Sequence, residues 1–197
     1  MDCNRHQSTY LRISNQGMTM IELLVTMALA ALLFAVGVPG FNSLRASQTQ
    51  TAQSNNYNGL IQFARSLATA EAKNITLCAS QNNLTCGEGT NLAKGAVIIS
   101  TAANGDQTLV RVIDPVDKSD FEITLLGFPT TNRIDFTDTG EVKDLATSAS
   151  ILLCDNRGAQ FGNALIINPL GIVRRATDDD NDKIVNQHDQ TNLVCSS

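Results

Sequence analysis

Asp178, Asp180 and Asp182 alternate along a polar stretch near the C-terminus. A D-x-D-x-D spacing sets alternate carboxylates around Ca²⁺ in an EF-hand-type loop. Asp189 falls at the twelfth position, where a carboxylate closes the shell. Lys183 stands where such loops carry the glycine of the sharp turn, so a solvated acidic turn is the competing reading. The five cysteines are Cys3, Cys78, Cys86, Cys154 and Cys195. None lies in a C-x-x-C pair or at zinc-finger spacing from a histidine, and His6 and His188 are far apart. Structural disulfides in an oxidising compartment fit better than zinc or redox chemistry. With Cys3 in an N-terminal leader, four cysteines remain, and they allow three pairings. Cys78 with Cys86 closes a local loop. Cys154 with Cys195 then ties down the tail. His188 has no nucleophile near it in sequence, and no serine sits in a nucleophile-elbow context. No catalytic constellation emerges, and no enzymatic activity is expected.

Glu22 poses a different problem. It opens a stretch that carries no charge from Leu23 to Leu44. At about 1.5 Å rise per residue this stretch is long enough to cross a hydrocarbon core of about 30 Å. An ionised carboxylate at its edge is costly, and the helix offers no partner of opposite charge. A secretory signal would be shorter and would end in a small-residue cleavage site. A plain anchor would not need the glutamate. The carboxylate therefore points to a charge on another chain. Arg5 and Arg12 precede the segment, which favours a cytoplasmic N-terminus.

The elements that must carry these residues follow from periodicity. Tyr57, Leu60, Ile61, Ala64, Leu67, Ala68 and Glu71 recur at helical spacing. One helix from 18 to about 73 is predicted, apolar all round in its first half and amphipathic in its second. Short β-rich runs follow at 75–80, 95–100, 107–113, 121–126, 133–137, 150–155, 163–168 and 171–176. Asn104-Gly105 lies between two of them and reads as a hairpin turn. The expected fold class is α+β: a long N-terminal helix packed on antiparallel β-sheets. The charge balance of 14 Lys and Arg against 19 Asp and Glu argues against broad binding of nucleic acid or anionic membrane.

The run Gly17-Met18-Thr19-Met20-Ile21-Glu22 resembles the cleavage motif of type IV prepilins. That resemblance implies a leader at 1–17, cut between Gly17 and Met18 by a prepilin peptidase that also N-methylates Met18. It implies a membrane and assembly helix at 18–44 and a pilin globular domain at 45–197. Glu22 would pair with the N-terminal amine of a neighbouring subunit, and Pro39 falls where pilins carry a proline that bends or locally melts the helix. Ala64-Arg65-Ser66, Thr76-Leu77-Cys78-Ala79-Ser80, Leu153-Cys154-Asp155-Asn156-Arg157-Gly158 and Ile166-Ile167-Asn168-Pro169-Leu170-Gly171 resemble the GspH/FimT branch. The implied function is that of a minor type IV pilin acting in pilus assembly or initiation, with other minor and major pilins as partners. The alternatives are a minor pseudopilin of type II secretion and a pilus-tip DNA receptor. The implied location is the inner membrane, single-pass, with the C-terminal domain in the periplasm. Some members bind DNA through a Gly-Arg-x-Arg element; here Gly171-Ile172-Val173-Arg174 and Arg175 correspond, with Ile172 replacing the first arginine. Adjacent arginines on a strand point to opposite faces, and Asp178-Asp179-Asp180 follow, so DNA is not favoured.

Overall fold

The computed structural model describes residues 17–116 and 120–195. The leader assigned to 1–17 lies outside the described residues except for Gly17. Helix α1 spans Met20–Glu71, 52 residues. Its start is capped by Thr19, whose Oγ1 accepts from the Glu22 backbone N–H at 3.3 Å while Leu23 N–H donates to Thr19 O. This T-x-x-E arrangement is one half of a capping box. The helix ends where Ala72 takes φ 50 and Lys73 N–H reaches back to Ala68 O at 3.2 Å. The backbone is helical at Pro39 and on both sides of it, so the local melting allowed for there does not occur. A proline removes one donor, a loss that the continuous helix around it tolerates.

The chain divides into two units, one ending at Leu44 and one of Arg45–Ser197. In the first, the apolar side chains of the helix are exposed. Among the described residues of the second, eight strands form two antiparallel sheets. The strands are β1 (Asn74–Ala79), β2 (Ala96–Thr101), β3 (Gln107–Ile113), β4 (Glu122–Leu126), β5 (Arg133–Phe136), β6 (Ala149–Cys154), β7 (Asn163–Ile167) and β8 (Val173–Arg175). One sheet has the order β3-β2-β1-β5 and the other β4-β6-β7-β8. The predicted runs match these strands to within two residues at each end. The Asn104-Gly105 turn joins β2 to β3, with Gly105 at φ 89 and its N–H on Ala102 O.

The core forms where the helix meets both sheets. Tyr57, Leu60, Ile61, Ala64 and Ala68 pack with Ile75, Leu77, Ile98 and Phe136 of the first sheet and with Ile123, Ile151, Leu153, Leu165 and Ile167 of the second. Alternation within the strands sends these residues inward. Two polar residues extend the buried helix face toward the N-terminus, Gln50 and Ser54. Gln50 Nε2 donates to Leu153 O of β6. The buried Tyr57 hydroxyl donates to Leu92 O at 3.0 Å, and burial pushes its pKa well above the ordinary phenol value. Asn91 Oδ1 accepts from Ala93 N–H and from Ile123 N–H, which links the loop after β1 to β4.

The outer face of the second sheet is covered by the tail. Leu193 is buried against Leu152, Cys154 and Ala164. Leu193 N–H donates to Val185 O, Asn186 N–H to Thr177 O, and His188 N–H to the buried Ser150 hydroxyl oxygen at 2.8 Å. Cys154 and Cys195 form a disulfide, and Cys78 and Cys86 form the other, as the spacing predicts. The short bridge sits with Val97 and Ile99 on the outer face of the first sheet.

Candidate functional site

The N-terminal motif occupies the helix start. A side chain added at Gly17 would meet nothing within 4 Å, so nothing within the described chain demands glycine there. Met18, Met20, Leu24, Phe34 and Phe41 are all exposed. The helix is long and apolar enough to cross a membrane. Glu22 is exposed in the first turn, where the N-terminal end of the helix dipole favours an acid. The capping role of Thr19 was readable from the T-x-x-E spacing.

The two C-terminal arginines part company. Leu165 pairs with Arg175 and Ile166 with Arg174 across β7 and β8. Leu165 belongs to the central core, so Arg175 lies on the helix side, where its Nη2 donates to Asn55 Oδ1 of α1. Arg174 is on the opposite face, with Nη1 on Arg175 O at 3.5 Å. They do not form one cationic cluster.

The acidic loop does form a cluster. One carboxylate oxygen each from Asp178, Asp180 and Asp182 lies within 4.8 Å of the others. Asp178 Oδ2 accepts from Lys183 N–H at 2.9 Å, and Lys183 takes φ 73. The lysine thus adopts the left-handed conformation that a glycine would supply. Asp182 accepts from Ile184 N–H and from Asn192 Nδ2. Asp178 Oδ1 is shielded from solvent with no hydrogen-bond partner. Desolvation raises the Asp178 carboxyl pKa, but backbone donors led by Lys183 outweigh it and hold the group low. Desolvation, and then repulsion from Asp182, push Asp180 up. Asp189 is not in the cluster: its Oδ1 takes the N–H and hydroxyl of Thr191. A turn at 189–191 holds it, because a short local acceptor bond forms at little entropic cost.

Two motif segments act as turns that lock the helix. After β6, Asp155 holds Arg157 in an ion pair at 2.7 Å, and Arg157 Nη1 reaches Ser47 Oγ of α1 at 2.9 Å. Its guanidinium lies over the Phe161 ring, 4.6 Å from the centroid. After β7, Asn168 Oδ1 accepts from Ile172 N–H, and Gly171 at φ 75 turns the chain. That turn presents Leu170 O to Arg65 Nε of α1 at 3.0 Å. The role of Arg65, and the buried Gln50 and Ser54, were missed by the sequence reading. The signal was available: 50, 54, 57, 61, 64 and 68 continue one helical stripe, but polar side chains at its N-terminal end hid it.

Residues 53–171 match the family model for the type II transport protein GspH, and residues 12–38 match the prokaryotic N-terminal methylation motif. No curated protein matches the chain. Two crystal structures of the type IV minor pilin FimU from Pseudomonas aeruginosa (strain PAO1) are similar, each with 20% sequence identity. Their TM-scores are 0.52 and 0.50; the matches cover 65% and 64% of this chain and 88% and 92% of theirs. At that identity the likeness shows a shared pilin fold. The family and the neighbours are pilins, structural proteins and not enzymes. By its family match over more than half its length, its methylation motif and its fold of one long helix on two antiparallel sheets, the chain belongs to the GspH family of pilin-like proteins.

Proposed function

We propose that this chain is a minor pilin acting in the assembly or initiation of a type IV pilus. The observation that carries the reading is the first half of α1, where exposed apolar side chains surround a single acid, Glu22, in the first turn. A membrane alone would cover the apolar surface, but a second subunit with a positive N-terminal amine is needed to offset the carboxylate and set axial register. In this reading the chain waits in the inner membrane with the Arg45–Ser197 unit in the periplasm. A prepilin peptidase removes 1–17 and methylates Met18. The mature chain then packs with other minor and major pilins. The two disulfides suit an oxidising compartment. A pseudopilin of type II secretion would share this architecture. The experiment is mass spectrometry of sheared pili and of the chain's detergent co-purification partners. Recovery with type IV pilins supports the reading; recovery with secretion-system pseudopilins replaces it.

A second reading concerns the acidic loop. The partnerless Asp178 Oδ1 and the three converging carboxylates favour Ca²⁺ as a structural ion that braces the tail. Ca²⁺ at a hundredfold over its dissociation constant would stabilise the fold by about 2.7 kcal/mol. A rise of several degrees in the melting temperature of the full chain in detergent is expected with CaCl₂. The rise should vanish in Asp180→Asn and with EGTA. Equal melting curves with and without Ca²⁺ would leave a solvated acidic turn.

A further inference from the structure

The groove between α1 and the β7–β8 turn measures about 320 Å³ and is lined by Gln62, Arg65, Ser66, Gly171, Ile172 and Val173. Its charged member is held in place along its length. A Cβ at Gly140 would come within 2.8 Å of Thr69 Cγ2 and 3.2 Å of Arg65 Cγ, and one at Gly171 within 2.9 Å of Arg65 Cδ. Both glycines have positive φ, 81 and 75. Two turns therefore close on the aliphatic stem of Arg65, and only glycine permits so near an approach. Leu170 O takes the Nε–H. Among the described residues nothing takes the terminal Nη1 and Nη2 groups. The outcome is a groove-lining guanidinium whose stem and Nε are held and whose terminal Nη groups are left for a partner. Those groups match a carboxylate with two parallel N–H donors. Fixing it beforehand removes most of the ordering cost of binding.

We propose that this groove receives an acidic side chain from a neighbouring subunit, which pairs with Arg65 while apolar residues beside that acid cover Leu170 and Ile172. The inference rests on the pilin reading above, since it takes the partner to be a subunit. Leu170 and Ile172 are each 53% exposed at the groove, an apolar flank that suits a protein surface. Charge placement disfavours nucleic acid as the occupant. Arg174 and Arg175 lie on opposite faces of β8, Asp178-Asp179-Asp180 follow the strand, and the chain carries a net charge of −5. Phosphate tracking needs several clustered cations, whereas a single carboxylate needs one anchored arginine.

The test uses the full chain in nanodiscs and follows the Arg65 Nε–Hε resonance by NMR at constant ionic strength. The probes are N-acetyl-glutamate N-methylamide, inorganic phosphate and a short single-stranded oligonucleotide. The glutamate probe is expected to shift the Arg65 resonance saturably and to leave that of Arg174 in place. Two variants then report on assembly, with membrane level and disulfide pattern as folding controls. Arg65→Gln removes the cation. Gln62→Glu keeps it but places a carboxylate one helical turn away, so that Arg65 is occupied from within its own helix. Each should lower co-recovery with other pilins by roughly tenfold, the loss of one charge-paired contact. An Arg65 resonance indifferent to the glutamate probe overturns the proposal. So does a stronger response to the oligonucleotide or to phosphate, or wild-type co-recovery of both variants. A wild-type chain that joins no pilins, yet shifts with the glutamate probe, overturns the pilin reading and leaves the carboxylate site supported.

Discussion

At Gly17 the physical argument rests on what is absent. A side chain there would meet nothing within 4 Å, so Gly17→Ala costs the folded chain nothing through packing. If glycine is needed, the need comes from an enzyme that must approach the 17–18 peptide bond closely. Gly17→Ala is expected to leave the globular domain folded and to block maturation. Intact-mass analysis of the membrane protein would show N-methylated Met18 for the wild type and an unprocessed N-terminus for the variant. Unprocessed wild type in cells with an active prepilin peptidase would remove the basis for this assignment. At Glu22 the backbone N–H belongs to the Thr19 cap, whereas the side chain carries the charge. Glu22→Gln and Glu22→Leu both lose the charge and both keep the backbone N–H that Thr19 Oγ1 caps. The Thr19 cap, worth about 1 kcal/mol, is therefore retained in both variants of the 52-residue helix. Both variants should insert and be processed normally, and both should be depleted from pilus fractions. Normal incorporation of both variants would show that the carboxylate has no assembly role.

Among the elements, the tail is the one most dependent on a covalent tie. Among the described residues from Ala176 onward it has no strand of its own, and it is held by scattered bonds such as His188 N–H to Ser150 and by the buried Leu193. The Cys154–Cys195 bridge closes a separation of 41 residues, and Cys78–Cys86 one of 8. On the chain-entropy account the longer loop contributes about 4 kcal/mol and the shorter between about 2 and 3. A Cys154→Ala, Cys195→Ala double variant should therefore lose more stability in urea than the Cys78→Ala, Cys86→Ala variant. It should also expose the tail to protease before the rest of the domain. Gly162 sharpens the expectation, since a Cβ there would run into Leu193 and come within 3.3 Å of Cys195 Sγ. Equal stability losses would mean that the tail is held by its hydrogen bonds and the Leu193 contact rather than by the disulfide.

For the whole molecule, the charge distribution argues against DNA capture. The one strand with adjacent arginines divides them between two faces, and Arg175 is engaged by Asn55. At physiological salt, mobility-shift titration of the full chain should show no retardation of duplex DNA at micromolar protein. Arg174→Ala, Arg175→Ala should leave that result unchanged. Retardation that weakens steeply with salt and disappears in the double variant would make the chain a DNA receptor instead.

The elements were legible in the sequence because local rules decide them. Helical spacing from Tyr57 to Ala68 gave the packing face of α1, and short β-rich runs gave the eight strands of the described residues. The charge-free span after Glu22 gave the apolar first half of α1, long enough to cross a membrane. The disulfide pairing followed because one short loop closure left a single remaining pair. Pairings between distant segments were not legible, since they depend on which strands become neighbours. Only the fold brings the turns at Gly140 and Gly171 onto the stem of Arg65, 75 and 106 positions along the chain. Only the sheet register decides that Arg175 faces the helix while Arg174 faces away. The buried Gln50 and Ser54 escaped for the same reason: polar side chains mark an inner face only once a partner such as Leu153 O is in place to receive them.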